Sequence, residues 1–255
     1  MKVVLLAGGL GTRLAEETES KPKPMVEIGQ RPILWHIMKH YAHFGHNEFV
    51  VALGYRAEYV KRYFADYCSM SGNLTVNLGT GRVDAETDQQ EDWLIDLVDT
   101  GGSTNTAGRV KRLARHLTDT FLLTYGDGVS NIDIDALVAF HKSHGKLATL
   151  SAVRPPTRFG HLDIVGDQIT EFSEKPQLGE GWINGGFFVM EPGVLDYIEG
   201  DHVNLAHAPL ENLAKDGQLM AYKHDGFWQC MDTLRDKEHL ESMWDAGSPE
   251  WKVWK

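Results

Sequence analysis

The run Val3-Val4-Leu5-Leu6 passes directly into Ala7-Gly8-Gly9-Leu10-Gly11, and this junction restricts the possible folds more than any other feature of the chain. A short continuous apolar run has no polar face, so it belongs in a strand buried on both sides, as in a parallel sheet covered by helices. Glycines at its end let main-chain N–H groups approach a phosphate chain without Cβ obstruction. Downstream, Pro32 opens a helical segment to about Phe44, with Ile33, Leu34, Ile37, Met38 and Tyr41 at helical spacing and Gly45 as its stop. Phe49 to Leu53 reads as a second buried strand, followed by a helix from about Ala57 to Tyr67. Strand, helix, strand, helix predicts an α/β fold with a parallel sheet and right-handed crossovers.

Further along, Phe121 to Tyr125 is a strand ending at Gly126-Asp127-Gly128, residues 133–144 are helical, and Ala148 to Val153 returns as a strand. After Pro155-Pro156, His161 to Ile164 and Gln168 to Phe172 flank Gly166-Asp167, the pattern of a β-hairpin. Phe187 to Met190 is a further strand, 192–199 and 207–215 are helical, and Thr233 to Trp244 is a last helix before a tail with Trp251 and Trp254. Residues 79–92 are polar and acidic without a period and read as an exposed loop or arm. Gly101 to Gly108 then leads into a basic segment containing Arg109, Lys111, Arg112 and Arg115. With no repeat and no linker, residues 1–255 read as one domain.

Bulk properties remove several classes of function. The formal net charge of −11 argues against a nucleic-acid or anionic-membrane partner, although a local pocket can still be basic. The apolar runs are too short for a signal peptide or a membrane span, and the two cysteines, Cys68 and Cys230, form no CxxC pair. The expectation is a soluble cytoplasmic protein without a zinc cluster.

The chemistry-bearing residues start at the glycine loop. Arg13 at its end supplies a guanidinium that can clamp phosphate oxygens. The loop lacks the GK[ST] ending of a Walker motif, and Leu14 stands where a dinucleotide fingerprint needs a third glycine or alanine. In Lys21-Pro22-Lys23-Pro24 the prolines stiffen an extended segment, which would present both ammonium groups towards one place. Asp127 ends a predicted parallel strand, where open α/β sheets bind ligands, though alone it also reads as an Asp-Gly turn. Asp232 precedes a helix and equally reads as an N-cap. His36, His40 and His43 share a helix face but have no HExxH pattern or adjacent acid, so they are not read as metal ligands.

LAGGLGTRL followed by KPKPMVEIG resembles the signature of the sugar nucleotidyltransferases. Together with PILWHIMKHY, YGDGVSNIDI, EKP, INGGFFV and FWQCMDTLRD, nearly the whole chain is most similar to their cytidylyl branch, which acts on glucose 1-phosphate. Ala15-Glu16-Glu17, where many relatives have a proline, leans the same way. The resemblance implies a Rossmann-like nucleotidyltransferase fold, a mixed, mostly parallel central sheet flanked by helices, with a small β-hairpin subregion at the sugar.

It further implies that Leu6, Ala7, Gly8, Gly9, Leu10, Gly11, Thr12 and Arg13 hold the nucleotide, with Lys23 also on its phosphates. Thr104, Arg109 and Gly126 would complete that pocket, and Lys175 would meet the phosphate of the sugar phosphate with Asn184 near the sugar. Asp127 and Asp232 would hold one Mg²⁺, and Arg13 and Lys23 would be catalytic. The expected reaction joins CTP and glucose 1-phosphate into CDP-glucose and pyrophosphate, for deoxysugars of surface polysaccharide, in a homo-oligomer where loop 79–108 can reach a neighbour. A thymidylyl, uridylyl or guanylyl enzyme and a non-catalytic nucleotide-sugar-binding subunit are the alternatives.

Overall fold

The computed structural model describes residues 1–9, 11, 14–70, 72–86, 91–154, 161–165, 168–173 and 181–255. Seven strands form the central sheet: β1 Val3–Ala7, β2 Glu48–Leu53, β3 Leu94–Asp99, β4 Phe121–Tyr125, β5 Ala148–Val153, β6 Ile183–Met190 and β7 Leu219–His224. Their order across the sheet is β7-β5-β6-β4-β1-β2-β3. β1 lies parallel between β2 and β4, with Leu5 opposite Val51 on one side and Thr124 on the other. β6 alone runs against its neighbours, antiparallel to both β4 and β5. The sheet is therefore mixed and mostly parallel, as the resemblance implies.

Alternation along the strands builds two cores. Val3, Leu5, Phe49, Val51, Phe187 and Val189 face helices α1 (Ile33–His43), α2 (Ala57–Ala65), α4 (Ile134–His144) and α6 (Leu234–Asp245). Val4, Leu6, Val50, Phe121, Phe188 and Met190 face α3 (Thr106–Arg112) and α5 (Ala208–Lys215). Nearly every residue of β1 and β2 is buried, which explains why both read as unbroken apolar runs.

Several expectations shift. Of residues 79–92, expected as an exposed loop or arm, Arg82–Glu86 form a strand paired with Asn73–Asn77 in an exposed two-stranded ribbon, and 87–90 lie outside the described residues. The parallel edge strand β3 and the opposite edge strand β7 had no counterpart in the sequence reading. The helical segment expected over 192–199 is a 3₁₀ helix, Pro192–Tyr197. The hairpin is present, with His161–Val165 antiparallel to Gln168–Ser173. Pro155-Pro156, the Gly166-Asp167 turn and Glu174-Lys175-Pro176 lie outside the described residues. Trp251 and Trp254 are buried in their own chain, with Trp251 stacked on Phe227 and Trp244 and Trp254 edge-on to Trp35.

Candidate active site

The carboxyl ends of β1 and β4 and the start of β6 meet at one edge of the sheet, where two cavities open side by side. The first, of about 300 Å³, is lined by Gly8, Gly9, Gly11, Lys23, Thr104 and Arg109 among others. The second, of about 360 Å³, is lined by Asn184, Gly185, Gly186, Trp228 and Cys230 among others. Tyr125, Asp127 and Asp232 line both, so they form the seam between them.

The two aspartates are 105 positions apart in sequence and are brought together by a small ribbon. Gly128–Ser130 pairs antiparallel with Trp228–Cys230, placing Gly128 opposite Cys230. Asp127 flanks one strand and Asp232 the other, and the Met231 N–H donates to the Asp127 carbonyl at 2.8 Å. Asp232 is not the N-cap of α6. Thr233 is, in a capping box with Asp236, whose Oδ2 also accepts from the main-chain N–H of Asp232 at 3.1 Å. The Asp232 carboxylate is thereby left to face the cleft.

Lys23 Nζ donates to Asp127 Oδ2 at 2.7 Å and to Asp232 Oδ1 at 2.5 Å. Burial lowers the lysine's proton affinity, but the charges and hydrogen bonds of Asp127 and Asp232 outweigh it and hold the ammonium above its ordinary range. The expectation for its neighbour fails. Pro22 between them is extended as expected and Lys23 begins a 3₁₀ turn, Lys23–Met25, but the two ammonium groups meet different partners. Lys21 pairs instead with Glu17 at 3.8 Å. Among the described residues no group of three or more His, Cys, Asp or Glu side chains is gathered for a metal. Asp127 and Asp232 are nevertheless two hard oxygen donors converging on one cation, here the ammonium, and that donor set suits a Mg²⁺ whose other ligands are phosphate oxygens and water.

Arg109 lies in the first cavity's wall, as the resemblance implies, but its guanidinium is spent largely on the protein. It donates to the carbonyls of Gly8 at 2.9 Å, Leu53 at 2.9 Å and Gly101 at 2.7 Å, and to Thr100 Oγ1 at 2.8 Å. It fills a slot between Gly8 and Gly54, where an added Cβ would meet its atoms at 2.3 and 2.4 Å. Burial pushes its pKa down, which the nearby Asp99 charge partly offsets. Arg109 thus ties together the ends of β1, β2 and β3.

Of the other expected site residues, Leu6, Gly8, Gly9, Gly11, Thr104 and Gly126 line the first cavity, and Asn184 lines the second. Ala7 is the buried last residue of β1. Leu10, Thr12, Arg13 and Lys175 lie outside the described residues. The sequence reading missed Pro24, Tyr125, Trp228 and Cys230. Tyr125 could have been found as the residue entering Gly126-Asp127, Pro24 as the end of KPKP, and Trp228 and Cys230 as part of FWQCMDTLRD. Burial and the charges of Asp232 and Asp127 push the Cys230 thiol up to about 11, so it is no nucleophile at neutral pH. His36, set aside as a ligand, is a core residue with Nε2 2.8 Å from the Ile28 carbonyl.

A glycine-lined cleft at the carboxyl ends of parallel strands, with a lysine bridging two aspartates, defines a nucleotidyl transferase, and the family model of that description matches residues 2–241. The chain is 52% identical to glucose-1-phosphate cytidylyltransferase from Salmonella typhi, the match covering 100% of both chains. It is 44% identical, again over 100% of both, to a probable glucose-1-phosphate cytidylyltransferase from Bacillus subtilis. In fold it is similar to the crystal structure of HddC from Yersinia pseudotuberculosis, with TM-score 0.69 and 22% identity over 95% of this chain and 99% of that one. The chain belongs to the glucose-1-phosphate cytidylyltransferase family of nucleotidyl transferases.

Proposed function

We propose that the protein transfers the cytidylyl group of CTP to α-D-glucose 1-phosphate, giving CDP-glucose and pyrophosphate. The observation that carries this reading is the Asp127–Lys23–Asp232 bridge on the seam of two cavities. A donor nucleotide in the first cavity and a sugar phosphate in the second would meet at that seam. Base and sugar identity rest on the full-length likeness to the Salmonella typhi and Bacillus subtilis proteins.

The attacking sugar phosphate is already anionic, so no side-chain nucleophile is required. The obstacles are repulsion between two polyanions and charge growing on the departing pyrophosphate. Glycine-loop N–H groups would receive the triphosphate, and Lys23 would share its charge between the aspartates and the phosphate oxygens. Arg13 and Lys175 are assigned to the triphosphate and the sugar phosphate by the resemblance. Mg²⁺, held by Asp127 and Asp232, would neutralise triphosphate charge and orient the α-phosphate. Holding both partners in one cleft converts a bimolecular encounter into an oriented one.

The test is pyrophosphate release from glucose 1-phosphate with Mg²⁺ and CTP, dTTP, UTP, ATP or GTP in parallel. Turnover confined to CTP is expected. Preference for another triphosphate would overturn the base assignment, and silence with all of them would favour a non-catalytic nucleotide-sugar-binding subunit. Lys23→Ala and Asp127→Asn are each expected to lose about 10²- to 10³-fold in kcat. Mg²⁺ has a separate readout, since wild type should melt higher with it than in EDTA and Asp127→Asn should not.

Such an activity belongs in the cytoplasm, where nucleoside triphosphates are made. The same reading includes a homo-oligomer. Leu74, Val76 and Val83 on the exposed ribbon, and Leu78 at its tip, present apolar surface suited to a second copy. Sedimentation showing a monomer at full activity would refute this.

A further inference from the structure

Among the described residues, Tyr125 is the one aromatic ring that borders both cavities, and neither the sequence reading nor the resemblance gave it a role. It is the last residue of β4, two positions before Asp127. Its ring is fixed from two directions. Phe188 meets it edge-on, with centroids 6.1 Å apart. Gly186, at φ +80°, makes room for it, since a Cβ there would lie 2.9 Å from Tyr125 Cδ2. Any larger residue at 186 would collide with the ring as well as strain the backbone.

The other polar side chains around the second cavity are largely committed within the protein. The Trp228 indole N–H donates to the Gly185 carbonyl at 2.7 Å. The Thr124 hydroxyl lies 3.3 Å from the Tyr125 carbonyl. Asp127 and Asp232 are bridged by Lys23. Asn184 Oδ1 accepts the Gly186 N–H at 2.8 Å, and the same side chain is a hydrogen-bond partner of the Tyr125 hydroxyl. A phenol both donates and accepts, so a single bond to Asn184 leaves the hydroxyl capacity for a further partner. Tyr125 lies on the wall of the second cavity, beside two carboxylates that repel an incoming phosphate. A neutral O–H is a suitable donor there, because it adds an attraction for an oxygen-rich ligand without closing another internal ion pair.

We infer that Tyr125 is a specificity-determining residue for the acceptor: its fixed ring separates the two subsites, and its O–H donates a hydrogen bond to an oxygen of the sugar phosphate. The inference rests on the sugar phosphate occupying the second cavity, as proposed above. Asn184 and Gly186 are positioning residues that act through the ring.

Steady-state kinetics of the full chain, varying each substrate in turn, tests this. The wild type's choice of triphosphate and sugar phosphate reports on the proposed reaction. The ratio of variant to wild type, with whichever pair the wild type turns over, reports on Tyr125. Tyr125→Phe keeps the ring and removes only the hydroxyl. It is expected to raise the sugar-phosphate KM or lower kcat/KM for it about 10- to 100-fold, with the triphosphate KM within about twofold. Tyr125→Leu, which also removes the partition, should weaken discrimination between glucose 1-phosphate and other hexose 1-phosphates beyond Tyr125→Phe. The inference is overturned if Tyr125→Phe is kinetically silent, or if both substrates' KM values move together. Melting temperature, read alongside, identifies a purely structural ring, because Tyr125→Phe would then lower it without separating the two KM values.

Discussion

At Arg109 a charged side chain serves as a brace. Three carbonyls and a hydroxyl from the ends of three adjacent strands converge on one guanidinium, whose planar fork of donors can reach them together. Arg109→Ala would leave these acceptors buried and unpaired, at a cost of about 3 kcal/mol, and urea denaturation should show it. Gly8→Ala drives a methyl into the same guanidinium, so its effect should not add to that of Arg109→Ala in a double-mutant cycle. Simple additivity would mean that the arginine does not act through Gly8. The basic segment containing Arg109 was visible in the sequence, and the resemblance placed it at the nucleotide. Its bracing role was not legible, because it depends on β3, whose strand character the sequence hides. Lys23 differs in the same way. KPKP advertised two lysines, but which of them reaches the cleft depends on Asp127 and Asp232, which lie far along the chain.

Among the elements, α6 and the 128–130/228–230 ribbon carry the most functional weight. The capping box that starts α6 also fixes the main chain of Asp232, through Asp236 Oδ2. Asp133 caps α4 with equal regularity, accepting from the Ala136 N–H at 2.9 Å, but touches no cleft residue in doing so. Thr233→Ala and Asp133→Ala are therefore each expected to cost about 1 kcal/mol of stability, and only the former should also lower turnover. Equal activity in both would show that the box does not position Asp232. Helices with caps and buried strands were legible because their signals are local. The edge strands were not. β3 alternates apolar with acidic residues and β7 is only partly buried, so neither has the unbroken apolar run that marked β1 and β2.

For the molecule as a whole, two core histidines make stability depend on acidity. Burial is the largest influence on both His36 and His40 and pushes each from 6.5 down to about 4. Between those values the unfolded chain binds protons that the folded one refuses. Their contribution is therefore fully present above about pH 6.5, falls as the pH drops through that window, and levels off near 4. Each histidine can shift the balance by up to roughly 3 kcal/mol across it. Urea midpoints should fall between pH 7 and pH 4.5, and equal midpoints would refute the assignment. His36 couples this to the carboxyl-terminal tail, since its Nδ1 lies 3.4 Å from the Trp251 indole nitrogen. Acid should loosen the tail before the sheet, visible as a change in tryptophan emission.

The reversal of β6 has a consequence for descent. Among the described residues the first cavity is walled by residues 6–127 and Asp232, whereas the second draws on 124–128 and then on 184–232. Under the proposed assignment, donor and acceptor recognition are written largely in successive halves of the chain and share only a short seam. A lineage could change the sugar it accepts by altering the later half while its triphosphate stays the same.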